Sequence, residues 1–388
     1  MANDLTFKQL ATVLNSIVEQ ATGKASITPT NTSEFVAVGQ TALLAGYDPV
    51  MNAVSQTLSK TIFSVRPYYE KFQGLRVDAL RWGNHVRKLN AVDKDFVADD
   101  RYTLTDGQSV DQYTVRKPEV LQTNYYGGDT FSDFITIFRD QIDNAFTGPD
   151  QFGNFLSMVM GNISDRHVQA RENLARACLA NFIGGKAADG TDVIHLLTVY
   201  NAQTGLNLTA QTVYQPANFA PFMQWAYSMI AEVSAMMTER STQFHTNVTG
   251  KEVNRHSPYE RQKVFMYAPA RYQMEARVLA DAFHDNYLRY AANETVNFWQ
   301  AIDTPASIQV KPSYLLPSGA IHTAGDTVTL NNIFAAFVDE EAAGYTIIHE
   351  WMAPTPFNAR GGYTNMWWHF DRRYWNDFTE NGVIFTLD

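Results

Sequence analysis

The sequence predicts an α+β fold with one polar projection, on three observations. Helical stripes dominate the first half of the chain and include a long one at 149–183, whereas the last part, from about residue 333, reads as strands bounded by turn residues. Residues 76–122, lying between the early helices and the long one, lose the helical period and gather no compact apolar set. An isolated two-stranded ribbon is marginally stable in water, so this segment makes sense lying on a neighbouring molecule. That favours a self-assembling structural protein over an enzyme.

The chain has 388 residues, enough for two or three packed units, and its 45% hydrophobic and 13% aromatic content is that of an ordered protein. A net charge of -10 argues against a phosphate-gripping surface, because such affinity comes from Lys and Arg displacing counterions. A container that holds nucleic acid without adhering to it remains allowed. Cys178 is the single cysteine and is expected to be a small buried apolar residue. No secretory signal and no run of about 20 apolar residues is present, which predicts folding in a reducing cytoplasm and no membrane.

Taken in order, Leu10, Val13, Leu14, Ile17 and Val18 make a first helical stripe that Gly23 closes. A second helix is expected at 35–44, and Asp48-Pro49 predicts a third, with Asp as the cap and Pro at the first helical position. These helices either fold on their own chain or form an arm that reaches a neighbour. In 76–122, Asp106-Gly107 and Pro118 punctuate the return leg, and Pro118 suits an edge strand. Phe131, Phe134, Ile135, Phe138 and Ile142 fit another helical stripe, and the rod at 149–183 is expected to stop at Gly184-Gly185. Its length, roughly 50 Å at 1.5 Å per residue, needs packing along most of its side.

Further on, 216–237 reads as a helix, 264–267 as a buried strand, and Pro269 opens a helix through Tyr272 and Ala276 towards Leu279. Strands are expected at 333–338, 345–351, 362–375 and 383–387, with Asn381-Gly382 as a hairpin signal.

Chemical motifs fail one after another. Gly185-Lys186 lacks the Ser/Thr and the first Gly of a phosphate loop, and His349-Glu350 has Ala353 where a second zinc-binding histidine would stand. His245 and His256 are too far apart for helical ligand spacing, and Asp339 and Glu340 point to opposite faces of a strand. No catalytic, cofactor-binding or metal-ligating residue is therefore assigned. The densest aromatic cluster, 363–378, holds Trp367, Trp368, Phe370, Tyr374 and Trp375 beside Asp371, Arg372 and Arg373. It fits core plus interface, with a sugar-binding platform, and so a lectin or glycosidase, as the alternative.

The order of these parts resembles the major capsid proteins of tailed bacteriophages, with the Hong Kong 97-type shell fold, over nearly the whole length. Residues 354–361 and 376–382 also look like the C-terminal segment of such proteins. The resemblance implies a helical N-terminal arm at 1–75, an extended loop at 76–125 and a peripheral domain with the spine helix at 126–215. An axial mixed domain at 216–320 follows, and C-terminal strands at 321–388 return to the peripheral domain. It implies hexamers and pentamers tiling an icosahedral shell around double-stranded DNA in a virion assembled in the host bacterial cytoplasm, each loop lying over an adjacent subunit. A portal, a separate scaffolding protein and decoration proteins are the partners it suggests. Some relatives cross-link a loop lysine; Lys88, Lys94 and Lys117 are present, but no partner is assignable and no cross-link is inferred. Another virion component, such as a portal or tail protein, is the remaining alternative.

Overall fold

A computed structural model describes residues 6–24, 28–60, 71–77, 85–94, 99–110, 112–113, 115–126, 128–190, 192–277, 292–323 and 325–388. Three helices open the chain. In α1 (Phe7–Thr22), the Gln9 side chain reaches back to accept from the Thr6 amide and hydroxyl at 2.9 Å, and Gly23, at φ 69°, ends the helix in the left-handed region that glycine tolerates. Helix α2 (Thr32–Leu44) is capped by the Asn31 side chain, which accepts from the Glu34 amide at 2.9 Å. Helix α3 (Tyr47–Lys60) begins one residue before the expected cap. Asp48 instead accepts from the Phe357 amide at 2.7 Å and ties the helix to a distant loop.

The ribbon consists of β1 (His85–Ala91) paired antiparallel with β2 (Val120–Tyr126), in a register that sets Leu89 opposite Gln122. It runs into β3 (Asp129–Phe138) and a short α4 (Arg139–Ala145). Here the expected helix at 131–142 is wrong for most of its length. Phe131, Ile135 and Ile137 line one face of a strand and Phe134 and Phe138 the other, so apolar residues on both faces imitated helical spacing. The aromatic and β-branched content of the segment suits the pleated surface it occupies.

Helix α5 (Pro149–Asp189) is the spine, with 41 residues and so roughly 62 Å of length. Its side chains at Val159 and Ile163 lie outside the described residues. Contrary to expectation, Gly184-Gly185 does not stop it; the helix ends at Gly190, whose amide donates to the Lys186 carbonyl. The glycine pair is there for close approach. A Cβ at Gly185 would fall 2.5 Å from the Phe378 ring, and one at Gly184 would collide with Val310.

Two main sheets follow. The first contains β4 (Val193–His195), β14 (Gly382–Thr386), β11 (Ile333–Asp339), β5 (Gln262–Tyr267) and β6 (Ala292–Val296), in that spatial order. Every position of β11 is buried because both faces are covered. Phe334 and Phe337 join a core with α6 (Leu196–Thr204) and α7 (Pro216–Met237), while Ile333, Ala336 and Val338 join one with the C-terminal half of α5. Helix α8 (Ala268–Arg277) follows β5, and Leu279, to which the sequence extends it, lies outside the described residues. Two short antiparallel pairs, β7 (Ile308–Val310) with β10 (Val328–Leu330) and β8 (Tyr314–Leu315) with β9 (Ile321–His322), lie against the spine.

The second sheet orders β12 (Ala343–Pro354), β13 (Tyr363–Asn376) and β3. Its inner face, with Met366, Trp368 and Phe370, shares one core with α1, α2, α3 and the N-terminal half of α5. The opening helices thus pack on their own chain. Asn381-Gly382 does not make a hairpin, since β13 and β14 belong to different sheets. Gly382 admits the Phe182 ring, and the Asn381 side chain bonds His245 and Ser257.

Candidate assembly interface

The ribbon divides into a root held by the body and a tip that touches little. At the root, Lys88 on β1 points its ammonium at Asp377 (2.9 Å), Glu380 (2.5 Å) and Glu341 (2.9 Å). Burial disfavours the lysine charge, but Asp377 and Glu380 outweigh it and hold the pKa above the ordinary lysine value. Burial also works against ionised Asp377, yet Lys88 and the Thr379 hydroxyl, which donates at 2.6 Å, keep its pKa low. Glu380 goes the other way: burial dominates and raises it, although Arg255 sits 3.0 Å away. The Tyr125 hydroxyl on β2 is buried beside this cluster, and burial and then the charge of Asp377 push its pKa up. Five residues beyond Lys88, past the end of β1, Asp93 accepts from the Asn254 amide (2.9 Å) and side chain (3.1 Å) and pairs with Arg240. Two of the cluster's acids, Asp377 and Glu380, come from 376–382, a segment whose acids the sequence pattern did not single out, and Glu341 precedes β12.

Beyond the root, every residue with described burial from Asp99 to Val120 is exposed. Large apolar side chains are among them: Tyr102 is 86% exposed, Tyr113 85% and Val115 77%, with Leu104 and Val110 beside them. Exposed apolar residues concentrated on one projection mark an interaction surface.

A second region with exposed rings is the outer face of the three-stranded sheet, where Phe134, Phe138 and Trp351 are each about half exposed. Phe134 stacks on Trp367 at 4.5 Å and Trp351 on His369 at 4.0 Å, while Phe138 meets Tyr363 edge-on at 6.0 Å. Trp368, on the opposite face as expected from strand alternation, is buried. The outer rings thus meet one another in pairs across the strands, two stacked and one edge-on. A third feature is a cleft of about 500 Å³ where α5 meets β3, with His167, Arg166, Asp133, Phe131, Phe370 and Arg372 on its walls. Nothing in the sequence pattern pointed to it.

Residues weighed for chemistry have structural work. Lys186 is fully buried and bonded to Asp192 at 2.5 Å. Burial holds His245 below the usual histidine range, and its ring nitrogens meet the Gln243 and Val253 carbonyls at 2.8 Å. Glu350 accepts from Arg171 at 2.7 Å, and Asp339 accepts from Ser257 at 2.6 Å at the end of β11. Cys178 is buried, its thiol pushed up to about 12 by that burial. Among the described residues, no group of His, Cys, Asp and Glu could hold a metal ion, and no helix is long and apolar enough to cross a membrane.

A family model described as Phi29-like phage major capsid protein matches residues 14–386. In three dimensions the chain is similar to one from the capsid structure of Staphylococcus phage Andhra, at 12% identity and a TM-score of 0.51, covering 83% of this chain and 85% of that one. It is also similar to a chain from the structure of the head fiber and inner core protein gp22 of native bacteriophage P68. There the identity is 12% and the TM-score 0.54, with 84% of this chain and 88% of that one covered. At such identity the likeness is one of fold. No curated protein matches in sequence. The match leaves no support for the sugar-platform alternative, and the stacked rings belong to a shell subunit. The chain belongs to the Phi29-like phage major capsid protein family, and its place is in the self-assembled shell of a virion.

Proposed function

We propose that hexamers and pentamers of this chain tile an icosahedral shell around double-stranded DNA, each ribbon tip lying over an adjacent subunit. The observation that carries this is the stretch from Asp99 to Val120, exposed at every residue whose burial is described and rich in large apolar side chains. Contacts of roughly 25 cal/mol per Å² of apolar surface, repeated around a shell, give closure without any one of them being strong. The net charge of -10 suits a container that releases its genome.

Assembly in the host bacterial cytoplasm, a portal and decoration proteins complete this reading. The role is assembly and not turnover, so the chain is not an enzyme. A separate scaffolding protein fits as well, because α1, α2 and α3 are built into the subunit's own core. Deleting residues 99–115 tests the proposal by negative-stain microscopy of the product. The expected result is a soluble, folded subunit that forms no closed particles; normal shells would overturn the ribbon's role.

A further inference from the structure

We propose that Asp106-Gly107, on the ribbon tip, is a site where the chain modifies itself by slow conversion to isoaspartate, and that the conversion withdraws a free subunit from assembly. The second half rests on the ribbon's role in closing shells; the first half does not.

The reaction needs only a carboxyl or amide side chain followed by a glycine. The Gly107 amide nitrogen attacks Cγ of Asp106, a C–N bond forms, and the carboxyl's hydroxyl leaves with the amide proton as water. The five-membered imide then takes up one water. Opening at the Cγ carbonyl restores aspartate, whereas opening at the main-chain carbonyl leaves the backbone running through Cγ with the α-carboxylate as its side chain. Composition is unchanged, and no oxidant or enzyme takes part. Glycine favours ring closure because no Cβ shields its nitrogen and its backbone turns freely. Asparagine reacts the same way with loss of ammonia, and faster at neutral pH.

Three places in the sequence carry this chemistry: Asp106-Gly107, Asp189-Gly190 and Asn381-Gly382. On chemistry alone the asparagine ranks first. The fold reverses that order. Asn381 is 1% exposed, its side chain meets Ser257 at 3.2 Å and His245 at 3.1 Å, and the Gly382 amide donates to the Phe244 carbonyl at 2.8 Å. At the end of α5 the Gly190 amide donates to the Lys186 carbonyl at 2.9 Å, and the Thr246 hydroxyl donates to the Asp189 carboxylate at 3.3 Å. In both places the attacking nitrogen and the attacked side chain are each tied, so closure must first break local structure.

Asp106 and Gly107 are both exposed, and a Cβ at Gly107 would meet nothing within 4 Å. Their turn is closed by the Gln108 amide on the Thr105 carbonyl at 3.0 Å, a bond that passes over the Gly107 amide. The φ of 89° at Gly107 is that of the third position of a type II turn. The reacting atoms thus stand in water on a backbone that opens at little cost. Isoaspartate adds a main-chain carbon inside this turn, between exposed Leu104 and Val110, and so displaces the side chains that the tip presents.

The test holds the full-length unassembled subunit at neutral pH and about 37 °C for several weeks, beside the same chain unfolded in guanidinium, and maps isoaspartate by electron-transfer fragmentation of a digest. In the unfolded chain Asn381 should convert fastest. In the folded subunit Asp106 should convert at least tenfold faster than Asp189 or Asn381, and Gly107→Ala, its fold checked by circular dichroism, should slow it at least fivefold. Folded-state conversion at Asn381 or Asp189 as fast as at Asp106, or none at Asp106 while the unfolded chain converts, would overturn the site. Partly aged subunits are then put through assembly, and isoaspartate at 106 is compared between closed shells and the leftover pool. Depletion from the shells by at least threefold is expected. Equal fractions, with the 99–115 deletion still forming no shells, would overturn the withdrawal alone, whereas normal shells from that deletion would end the ribbon's role itself.

Discussion

The two ends of the ribbon belong to one segment of the chain, yet they differ in what holds them. At the root, Lys88 and Asp93 find charged and amide partners in the body, and Tyr125 is buried beside Asp377. At the tip, Tyr102 and Tyr113 stand almost fully in solvent, and the nearest ion pair, Asp99 with Arg101 at 2.5 Å, is a local surface one. Surface pairs contribute about 0–1 kcal/mol, so they do not fix the tip's path. The difference teaches that the chain sets the direction of its projection at the root and leaves large apolar side chains of the tip exposed.

The largest effect expected is on assembly alone. Changing Tyr102, Tyr113 and Val115 together to serine should abolish closed shells while the melting temperature of the free subunit stays within about 2 °C, because these side chains are at least 77% exposed in the monomer. Microscopy and calorimetry on the same preparation read both arms. A large fall in melting temperature would break the comparison by showing that the tip is part of the subunit's own structure.

Next comes the platform beneath the root. Phe378 stacks on Phe182 at 5.2 Å and fills the space over Gly185, and Asp377 is its neighbour in sequence. Gly185→Val must displace that ring, at about 3 kcal/mol by the usual scale for overpacking. Denaturant melts should show the loss, and proteolysis should cut the ribbon root faster than in the parent. An unchanged cleavage rate would uncouple the platform from the root.

Lys88→Ala follows. It leaves Asp377, almost wholly buried, without its cation, which costs about 3 kcal/mol for a well-buried pair and less where water enters. The sign with pH is definite: a lysine whose folded pKa is raised contributes stability fully below its ordinary value and loses it as pH climbs through the folded value. The parent should therefore lose stability above about pH 10.5 in a way that Lys88→Ala does not, as urea melts at pH 8 and pH 11 would show.

Much of this architecture is visible in the residues, and apart from β3, where apolar residues on both faces imitated a helix, what is hidden has one cause. Helix α7 runs from Pro216 to Met237 as its opening proline and apolar stripe predict, and β11, β12 and β13 fall on the expected runs. Local signals failed where a distant segment supplies the reason. Gly184-Gly185 and Asn381-Gly382 look like breaks, but the first admits Val310 and Phe378 and the second admits Phe182. The root is the extreme case, since Lys88 and Asp377 are 289 residues apart and no periodicity links them. The cleft at His167 is assembled from α5, β3 and β13 and is hidden for the same reason.

The smallest effect concerns that cleft and separates it from the root by acid. Burial holds the His167 pKa down at about 4, against the charges of Glu350 and Asp133 and with those of Arg171 and Arg372. An unfolded histidine takes up its proton near pH 6.5, so between there and pH 4 the unfolded chain binds more protons than the native one. Stability from this group is complete above about pH 6.5 and is lost as the pH falls to about 4; because the cleft is open to solvent, the loss should be about 1–2 kcal/mol. At the root, acid acts in opposite senses on Asp377, which is held low, and Glu380, which is held high, so the two partly offset. His167→Phe keeps an aromatic ring against Phe370 and removes the proton. Urea melts of this variant at pH 7 and pH 4.5 should differ less than those of the parent. If the parent and the variant fall by the same amount, the acid-sensitive group lies elsewhere, and the root's carboxylates become the next to examine.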